Sequence, residues 1–195
     1  MDYFQKITKL MLNNKQHESP CKSIIVVGGG RWGKIIAKSL LAFDFVDSIA
    51  LISKKNYLNT NSWYKNEIKS TPLLKDKLVI SNNLNKYLNS DNYSVAIVAN
   101  SPYLHYDTSK MLLENRKHVL VEKPFVKYSI DAEELISIAK KNRLIFAVGH
   151  EFYFVSYLYH FKNVITQKLQ NIKSIKIIWN DVFKENKHGE IKIQD

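Results

Sequence analysis

Cysteine is nearly absent from this sequence of 195 residues, in which Cys21 is the only example. A single thiol excludes an internal disulfide framework and fits a reducing compartment, so we predict a cytoplasmic protein. We interpret Cys21 itself as a small residue that precedes the first strand.

Long hydrophobic runs are also missing. No apolar stretch approaches the ~20 residues that span a bilayer, and the first twenty residues are interrupted by Asp2, Lys6, Lys9 and Glu18. The sequence therefore predicts neither a membrane-spanning helix nor a secretory signal. With 45% hydrophobic and 24% charged residues, the composition is that of a globular protein with a buried core. The length allows one domain plus part of another.

Acidic residues are few relative to basic ones. The chain has 18 Asp and Glu against 29 Lys and Arg, which gives a net charge of +11. Such a charge can indicate nucleic-acid binding, but the lysines are spread along the whole chain and no basic run reaches five residues. No RNA-binding signature or recognition helix is present. We therefore predict no nucleic-acid and no membrane partner, and a diffusely basic surface that suits anionic ligands.

One stretch joins an apolar strand to a helix through a glycine-rich turn. Ile24–Val27 is a continuous apolar run, which is typical of a strand covered on both faces. After Trp32 the apolar residues return at helical spacing. The turn between the two elements has the spacing Gly-x-Gly-x-x-Gly, at Gly28, Gly30 and Gly33.

In this context each glycine is expected to serve a bound dinucleotide. Gly28 would permit the tight turn, Gly30 would let the backbone approach a pyrophosphate, and Gly33 would let the helix pack closely on the strand. The helix N-terminus, at Arg31 and Trp32, would present unpaired N–H groups and a partial positive charge to the phosphates. We predict a dinucleotide site here; an ordinary glycine-rich turn is the alternative.

Strands and helices alternate along the following residues. After a strand at 23–27 and a helix at 31–42, further strands are predicted at 46–53, 77–81, 95–99, 118–121 and 144–148. Helices are predicted at 62–69, 84–88, 101–114 and 129–142. Such alternation implies right-handed crossovers and a doubly wound parallel sheet, which is the Rossmann type of α/β fold.

The same pattern suggests a division into domains. Residues 1–22 are interpreted as a lead-in and 23–150 as the dinucleotide-binding Rossmann domain. Residues 151–195 are interpreted as the start of an incomplete second α/β domain, with a helix at 156–169 and a strand at 175–179.

The end of the second strand indicates which nucleotide is preferred. An NAD-binding domain usually carries a carboxylate about 20 residues past the glycines, which accepts a hydrogen bond from the ribose 2′-hydroxyl. This position is occupied by Ser53, followed by Lys54 and Lys55. A hydroxyl and two ammonium groups suit a 2′-phosphate, so we predict NADP(H) in preference to NAD(H). The alternative is that both lysines are merely solvated.

A second set of motifs follows the strands at 95–99 and 118–121. The motif residues are Asn100, Ser101, Pro102, His105, Glu122, Lys123 and Pro124, and Val148-Gly149-His150 follows the last strand. Together with the glycine turn, this arrangement resembles the Gfo/Idh/MocA oxidoreductases, the relatives of glucose–fructose oxidoreductase and inositol dehydrogenase. The resemblance extends over about residues 23–181.

The resemblance implies hydride transfer between a nicotinamide cofactor and a sugar-like or related hydroxyl or keto substrate. The motif lysine, here Lys123, would be catalytic and lie beside the nicotinamide and the substrate. A cation at the carboxyl end of a parallel strand also points into the ligand crevice on physical grounds, where it can polarise a substrate oxygen. Glu122 is expected to orient Lys123.

Other motif residues are expected to contact the cofactor or to support the site. Asn100, Ser101 and Pro102 would line the ribose and nicotinamide through backbone groups. For His105, on the first turn of its helix, a cofactor contact and a packing or capping role both remain open. His150 resembles the family's residue at the domain junction, although a half-buried histidine is the simpler interpretation. No metal ligands are predicted.

The sequence departs from the family in its second domain. Family members add an open, mostly antiparallel sheet that holds the substrate and carries an Asp-x-x-x-His acid/base pair. No such pair follows His150, and Lys184 stands four positions before His188. We therefore expect a chain that is truncated relative to its family and inactive or incomplete by itself. The alternative is a non-catalytic NADP-binding or sensing module that acts through a partner.

The helix predicted at 156–169 carries an apolar face that the absent sheet would normally cover. An uncovered face is a surface for association, so we predict a homo-oligomer. The other predicted partner, a small-molecule substrate, follows from the family resemblance. The apolar residues are Tyr153, Phe154, Tyr157, Leu158, Phe161, Val164 and Ile165.

Overall fold

The computed structural model describes residues 22–69, 76–168, 174, 176 and 178. The chain divides into two compact units, one ending at Val155 and the other beginning at Ser156. Strands and helices alternate in the first unit, as β1 (Ser23–Val27), α1 (Arg31–Leu40), β2 (Ser48–Ile52), α2 (Tyr57–Trp63), β3 (Leu78–Ser81), α3 (Asn85–Leu88), β4 (Tyr93–Val98), α4 (His105–Glu114), β5 (His118–Val121), α5 (Ser129–Lys141) and β6 (Phe146–Val148). A π-helix at Tyr64–Ile68 continues α2, and 3-10 turns lie at Pro102–Leu104 and Glu151–Phe154.

Within the described residues, the six strands form one parallel sheet in the order β3-β2-β1-β4-β5-β6. This is the strand order of a Rossmann fold, so the predicted fold class is confirmed. The order reverses between β1 and β4, and in such sheets the ligand crevice lies outside the carboxyl ends of the strands at that point.

Strand β1 is buried on both faces, as its continuous apolar run predicts. Ile25 and Val27 pack into a core that includes Leu112 and Leu113 of α4 and Leu135 of α5. The alternate residues of β1, at positions 24 and 26, pack into a second core with residues of α1 and of the π-helix. Because successive side chains of a strand point to opposite faces, β1 holds two helical layers together.

Several predicted element boundaries are displaced in the structure. The helix predicted at 62–69 begins at Tyr57 instead, and its first turns include Thr60, which is buried against Gly29. Strand β4 begins at Tyr93, whose hydroxyl forms a 2.9 Å hydrogen bond with the Ser48 hydroxyl. The helix predicted from residue 101 begins at His105, because a 3-10 turn comes first.

The second unit contains α6, Ser156–Lys168, which confirms the helix predicted at 156–169. Phe161 is half exposed on it, and association through this helix stays a prediction. The strand predicted at 175–179 and the lead-in before residue 22 lie outside the described residues.

His118 links the edge strand β6 to β5. Its Nδ1 accepts a hydrogen bond from the Ile145 N–H at 2.9 Å, and the Val119 N–H donates to the Ile145 carbonyl at 2.9 Å. Nδ1 can accept only while it is unprotonated. Burial lowers the pKa of His118 below its ordinary value. The fold therefore favours the neutral imidazole.

The lowered pKa predicts how stability changes with pH. Neutral His118 contributes fully to the free energy of unfolding above about pH 6.5, the ordinary pKa of histidine. This contribution is lost as the pH falls from there through the lower pKa of the folded state. His118→Asn keeps an acceptor without the titration, so its melting temperature should fall less between pH 8 and pH 5 than that of the wild type. Parallel melting profiles would contradict this role of His118.

Candidate dinucleotide site

The glycine turn brings the ends of β1 and β4 together. Gly28 has φ of +130°, and its N–H donates to the Ile52 carbonyl at 2.8 Å. The Ala99 N–H donates to the Val27 carbonyl at 2.8 Å. A Cβ at Gly28 would lie 2.4 Å from the Ala99 carbonyl oxygen. Only glycine fits this position, both because of its positive φ and because β4 approaches so closely.

The other two motif glycines face opposite environments. A Cβ at Gly33 would lie 1.6 Å from the Gly28 carbonyl oxygen, so α1 rests directly on the turn. A Cβ at Gly30 would meet no atom within 4 Å. Gly30 is the N-cap of α1 and makes no side-chain capping bond, and the next two residues, Arg31 and Trp32, are exposed.

This open space at the N-terminus of a ten-residue helix fits a pyrophosphate. Backbone N–H groups at a helix N-terminus attract anions, and a residue without a side chain at the N-cap lets the anion approach the backbone. The space lies at the carboxyl end of β1 beside β4, at the reversal of strand order. The residues present therefore match the group that the sequence motif predicts.

Ser53 supports the turn from within and does not contact the crevice. Its side chain is 2% exposed, and its Oγ lies 2.9 Å from the Thr60 Oγ1. Thr60 in turn lies within 3.0 Å of the Gly29 carbonyl oxygen and donates to it. The predicted contact between the Ser53 hydroxyl and a 2′-phosphate does not fit the structure, because the hydroxyl is enclosed under Gly29 and bonded to Thr60. Lys54 and Lys55, by contrast, are exposed.

Thr60 is a supporting residue that the sequence did not reveal. It lies in a polar stretch whose helix was predicted too late, and its partner Gly29 is 31 positions away. Thr60 is the buried residue of α2, and this burial is visible only in the structure.

The loop after β4 places two exposed residues and one half-buried amide beside the crevice. Ser101 and Pro102 are exposed, and Ser101 makes no side-chain capping bond. The Asn100 Nδ2 donates to the Thr108 Oγ1 at 2.8 Å. Among the described residues, the Asn100 Oδ1 is buried without a hydrogen-bond partner.

His105 lies between the loops that follow β4 and β5. The side chain is 1% exposed, its Nε2 is 3.1 Å from the Asn100 carbonyl oxygen, and its Nδ1 is 2.8 Å from the Pro124 carbonyl oxygen. Of the two roles left open, the direct cofactor contact does not fit, because the ring is enclosed and both nitrogens face backbone carbonyls. The structure gives His105 a packing role between the two loops.

Lys123 is exposed at the end of β5 and is paired with a carboxylate. Its Nζ lies 3.0 Å from the Glu151 Oε1, and the two side chains are 46% and 50% exposed. Glu122 accepts a hydrogen bond from the backbone N–H of Lys123 at 3.2 Å, so it orients the backbone and not the ammonium group. The Lys123–Pro124 peptide bond is cis.

Glu151 is a second residue that sequence reasoning missed. It follows the exposed His150, and only the proximity of the β5 and β6 ends brings it to Lys123. An exposed ion pair contributes at most about 1 kcal/mol to stability. A ligand oxygen can therefore displace the carboxylate from Lys123 at little energetic cost.

Two kinds of feature are missing from the part of the chain that the structure describes. It contains no group of three His, Cys, Asp or Glu side chains that could hold a metal ion. None of its helices is both long enough and apolar enough to cross a membrane.

Comparison with known proteins identifies the relatives of this domain. The model of the Gfo/Idh/MocA oxidoreductase family, described as having an NAD-binding Rossmann fold, matches residues 22–150. The chain belongs to this family. This match confirms the resemblance seen in the sequence, and residues 22–150 correspond to the NAD-binding Rossmann domain of the Gfo/Idh/MocA oxidoreductases.

Individual relatives of this Gfo/Idh/MocA domain cover part of it. An uncharacterised oxidoreductase of Synechocystis sp. is 30% identical over 99 residues, 50% of this chain and 27% of that protein. A putative NADPH-dependent oxidoreductase of Desulfitobacterium hafniense has a TM-score of 0.64 at 16% identity, over 78% of this chain and 41% of the other. The scyllo-inositol dehydrogenase of Lactobacillus casei has a TM-score of 0.62 at 20% identity, over 77% and 42%. The chain thus matches less than half the length of each relative, and the solved structures show its fold.

Proposed function

We propose that this chain binds NADP(H) in preference to NAD(H). We further propose that it forms the cofactor domain of an oxidoreductase that acts on a hydroxyl or keto group of a sugar-like substrate. The observation that carries the proposal is the open space at Gly30, which lies at the N-terminus of α1 in the crevice between β1 and β4. A buried or filled turn would leave no room for a pyrophosphate.

The preference for NADP(H) rests on the charges that follow β2. Lys54 and Lys55 are exposed directly after the buried Ser53, and the segment from 53 to 56 contains no carboxylate that could select a ribose 2′-hydroxyl. Lys34 adds a third cation on α1, where its Nζ donates to the Asn59 Oδ1 at 2.7 Å. Ammonium groups are favourable partners for a phosphate monoester. Solved relatives include one with NAD(H) and one, a 3-ketoreductase of Actinomadura kijaniata, with NADP.

The catalytic part of the proposal assigns Lys123 to the substrate. The nicotinamide, when bound, donates or accepts the hydride. Lys123 Nζ is suited to binding the reacting substrate oxygen and to stabilising the negative charge that develops on it. Glu151 holds the ammonium group until that oxygen replaces the carboxylate, and Glu122 fixes the backbone beneath it. A structural relative named as a scyllo-inositol dehydrogenase, with scyllo-inositol bound, and another named as a 3-ketoreductase support a hydroxyl or keto substrate of this kind.

Removing both lysines after β2 tests the preference. We expect Lys54→Ala combined with Lys55→Ala to weaken NADPH binding about tenfold and to leave NADH binding unchanged, because only NADPH carries the 2′-phosphate. The measurement is titration of the reduced-nicotinamide fluorescence with each cofactor. The control is Lys140→Ala with Lys141→Ala, an exposed pair in the last turn of α5.

The control pair should bind both cofactors as the wild type does. Equal affinity of the wild type for NADPH and NADH would contradict the preference. Equal losses for the two cofactors in the Lys54 and Lys55 variant would contradict the role of these lysines.

A further inference from the structure

We propose that His105 is a positioning residue that holds the two loops around the nicotinamide half of the cofactor in register. This inference rests on the proposed function, since it assumes that a dinucleotide occupies the crevice. The loop after β4 contains the residues predicted to line the nicotinamide, and the loop after β5 contains Lys123. The His105 ring contacts both loops.

The contacts of the ring are specific to these two loops. Nε2 lies 3.1 Å from the Asn100 carbonyl oxygen, one residue before the exposed Ser101 and Pro102. Nδ1 lies 2.8 Å from the carbonyl oxygen of Pro124, the residue after Lys123, and 3.3 Å from that of Phe125. The ring therefore lies between the backbone just before Ser101 and the backbone just after Lys123.

The first turn of α4 fixes the ring in this position. His105 begins α4, and its side chain is 1% exposed, so the ring is enclosed by protein. Hydrogen bonds between main-chain atoms also hold the strand ends, among them those from Gly28 to Ile52, from Ala99 to Val27 and from Glu122 to Val98. These bonds align the strands, and the His105 ring contacts the backbone of the loops that follow them.

The His105 ring makes its hydrogen-bond contacts outside the glycine turn. Gly28 packs against Ala99, but the hydrogen bonds from Gly28 to Ile52 and from Thr60 to Gly29 lie on the opposite side of β1 in the strand order. Loss of the His105 ring should therefore disturb the nicotinamide half of the site and leave the pyrophosphate and adenosine half intact. This separation distinguishes a positioning role from general support of the fold.

The test compares ligands with and without the nicotinamide. NADPH is paired with 2′-phospho-ADP-ribose, and NADH with ADP-ribose, so that the outcome does not depend on which cofactor is preferred. We expect His105→Ala to weaken binding of the nicotinamide cofactor about tenfold or more, as for loss of buried hydrogen bonds. Binding of the analogue without nicotinamide should change less than twofold.

Two conservative variants separate the two contacts. In His105→Asn the amide nitrogen takes the place of Nδ1 and can donate to Pro124, and in His105→Gln it takes the place of Nε2 and can donate to Asn100. Both partners are carbonyl acceptors and a neutral ring carries one N–H, so the variant that replaces the donating nitrogen should recover part of the lost affinity. The control is Ser109→Ala, one turn along the same helix, where the buried hydroxyl has no hydrogen-bond partner among the described residues. It should bind all four ligands as the wild type does.

Each outcome decides the proposal. Proportional losses for ligands with and without nicotinamide would overturn it, since they would show that the ring only supports the fold. Unchanged binding of all four ligands would also overturn it. If His105→Ala does not fold, the Asn and Gln variants, which retain most of the volume, decide in the same way. Failure of the wild type to bind any of the four ligands would instead overturn the proposed function, and this proposal with it.

Discussion

Replacing Gly30 by alanine is expected to abolish dinucleotide binding while leaving the stability of the fold almost unchanged. The new Cβ would meet no protein atom within 4 Å, and φ of −75° at this position suits alanine. The methyl group would instead occupy the space through which a pyrophosphate approaches the helix N-terminus. We expect an affinity for NADPH and NADH at least about a hundredfold lower, which corresponds to roughly 2.7 kcal/mol.

Two measurements on Gly30→Ala check this expectation. Fluorescence titration gives the dissociation constants, and denaturant unfolding gives the free energy of unfolding. Wild-type affinity in a folded Gly30→Ala variant would place the ligand elsewhere, because a methyl group at this point cannot coexist with a pyrophosphate in contact with the backbone.

Replacing Gly33 by alanine, in contrast, is expected to lower the stability of the fold so far that the domain unfolds. In the interior of a helix, replacing glycine by alanine normally stabilises the helix by about 1 kcal/mol. Here the Cβ would lie 1.6 Å from the carbonyl oxygen of Gly28, which is backbone and cannot rotate away. Overpacking against backbone should cost at least about 4 kcal/mol, a large part of the roughly 5–15 kcal/mol that stabilises an ordinary domain.

The pair Gly30→Ala and Gly33→Ala forms its own control, since the two substitutions are chemically identical and three residues apart. Thermal unfolding followed by circular dichroism should give a wild-type melting temperature for the first variant and a much lower one, or no folded protein, for the second. A Gly33→Ala variant as stable as the wild type would contradict the close packing of α1 on the turn.

Much of the fold could be predicted from the sequence because its central strands are continuous apolar runs. Strands β1 and β5 have the predicted bounds, and the glycine spacing places the turn between β1 and α1. The sequence did not indicate the start of helix α2, because the Asn, Thr and Ser residues in its first turns are weak helix formers. In the structure this helix is tied to the glycine turn by the hydrogen bond that the buried Thr60 donates to the Gly29 carbonyl.

The site was predictable as a set of positions and less so as a set of contacts. The glycines and Lys123 lie at the carboxyl ends of their strands, where the pattern places them. Burial of Ser53 and His105 depends on Thr60 and on the carbonyls of distant loops, which no local pattern encodes. Glu151 reaches Lys123 across 28 positions, a proximity that arises only from the pairing of β5 and β6.

The central claim is that a dinucleotide binds on the glycine turn at the carboxyl ends of β1 and β4. The most direct measurement is an NMR titration of the ¹⁵N-labelled chain with NADPH, followed through the backbone amides. We expect saturable shifts in the amides from Gly28 to Gly33 and at Asn100 and Ser101. The amides of Arg116 and Arg143, which precede β5 and β6 at the amino edge of the sheet, should not shift. Saturable binding that moves the amino-edge amides and leaves the glycine turn unchanged, or no binding at all, would contradict the claim.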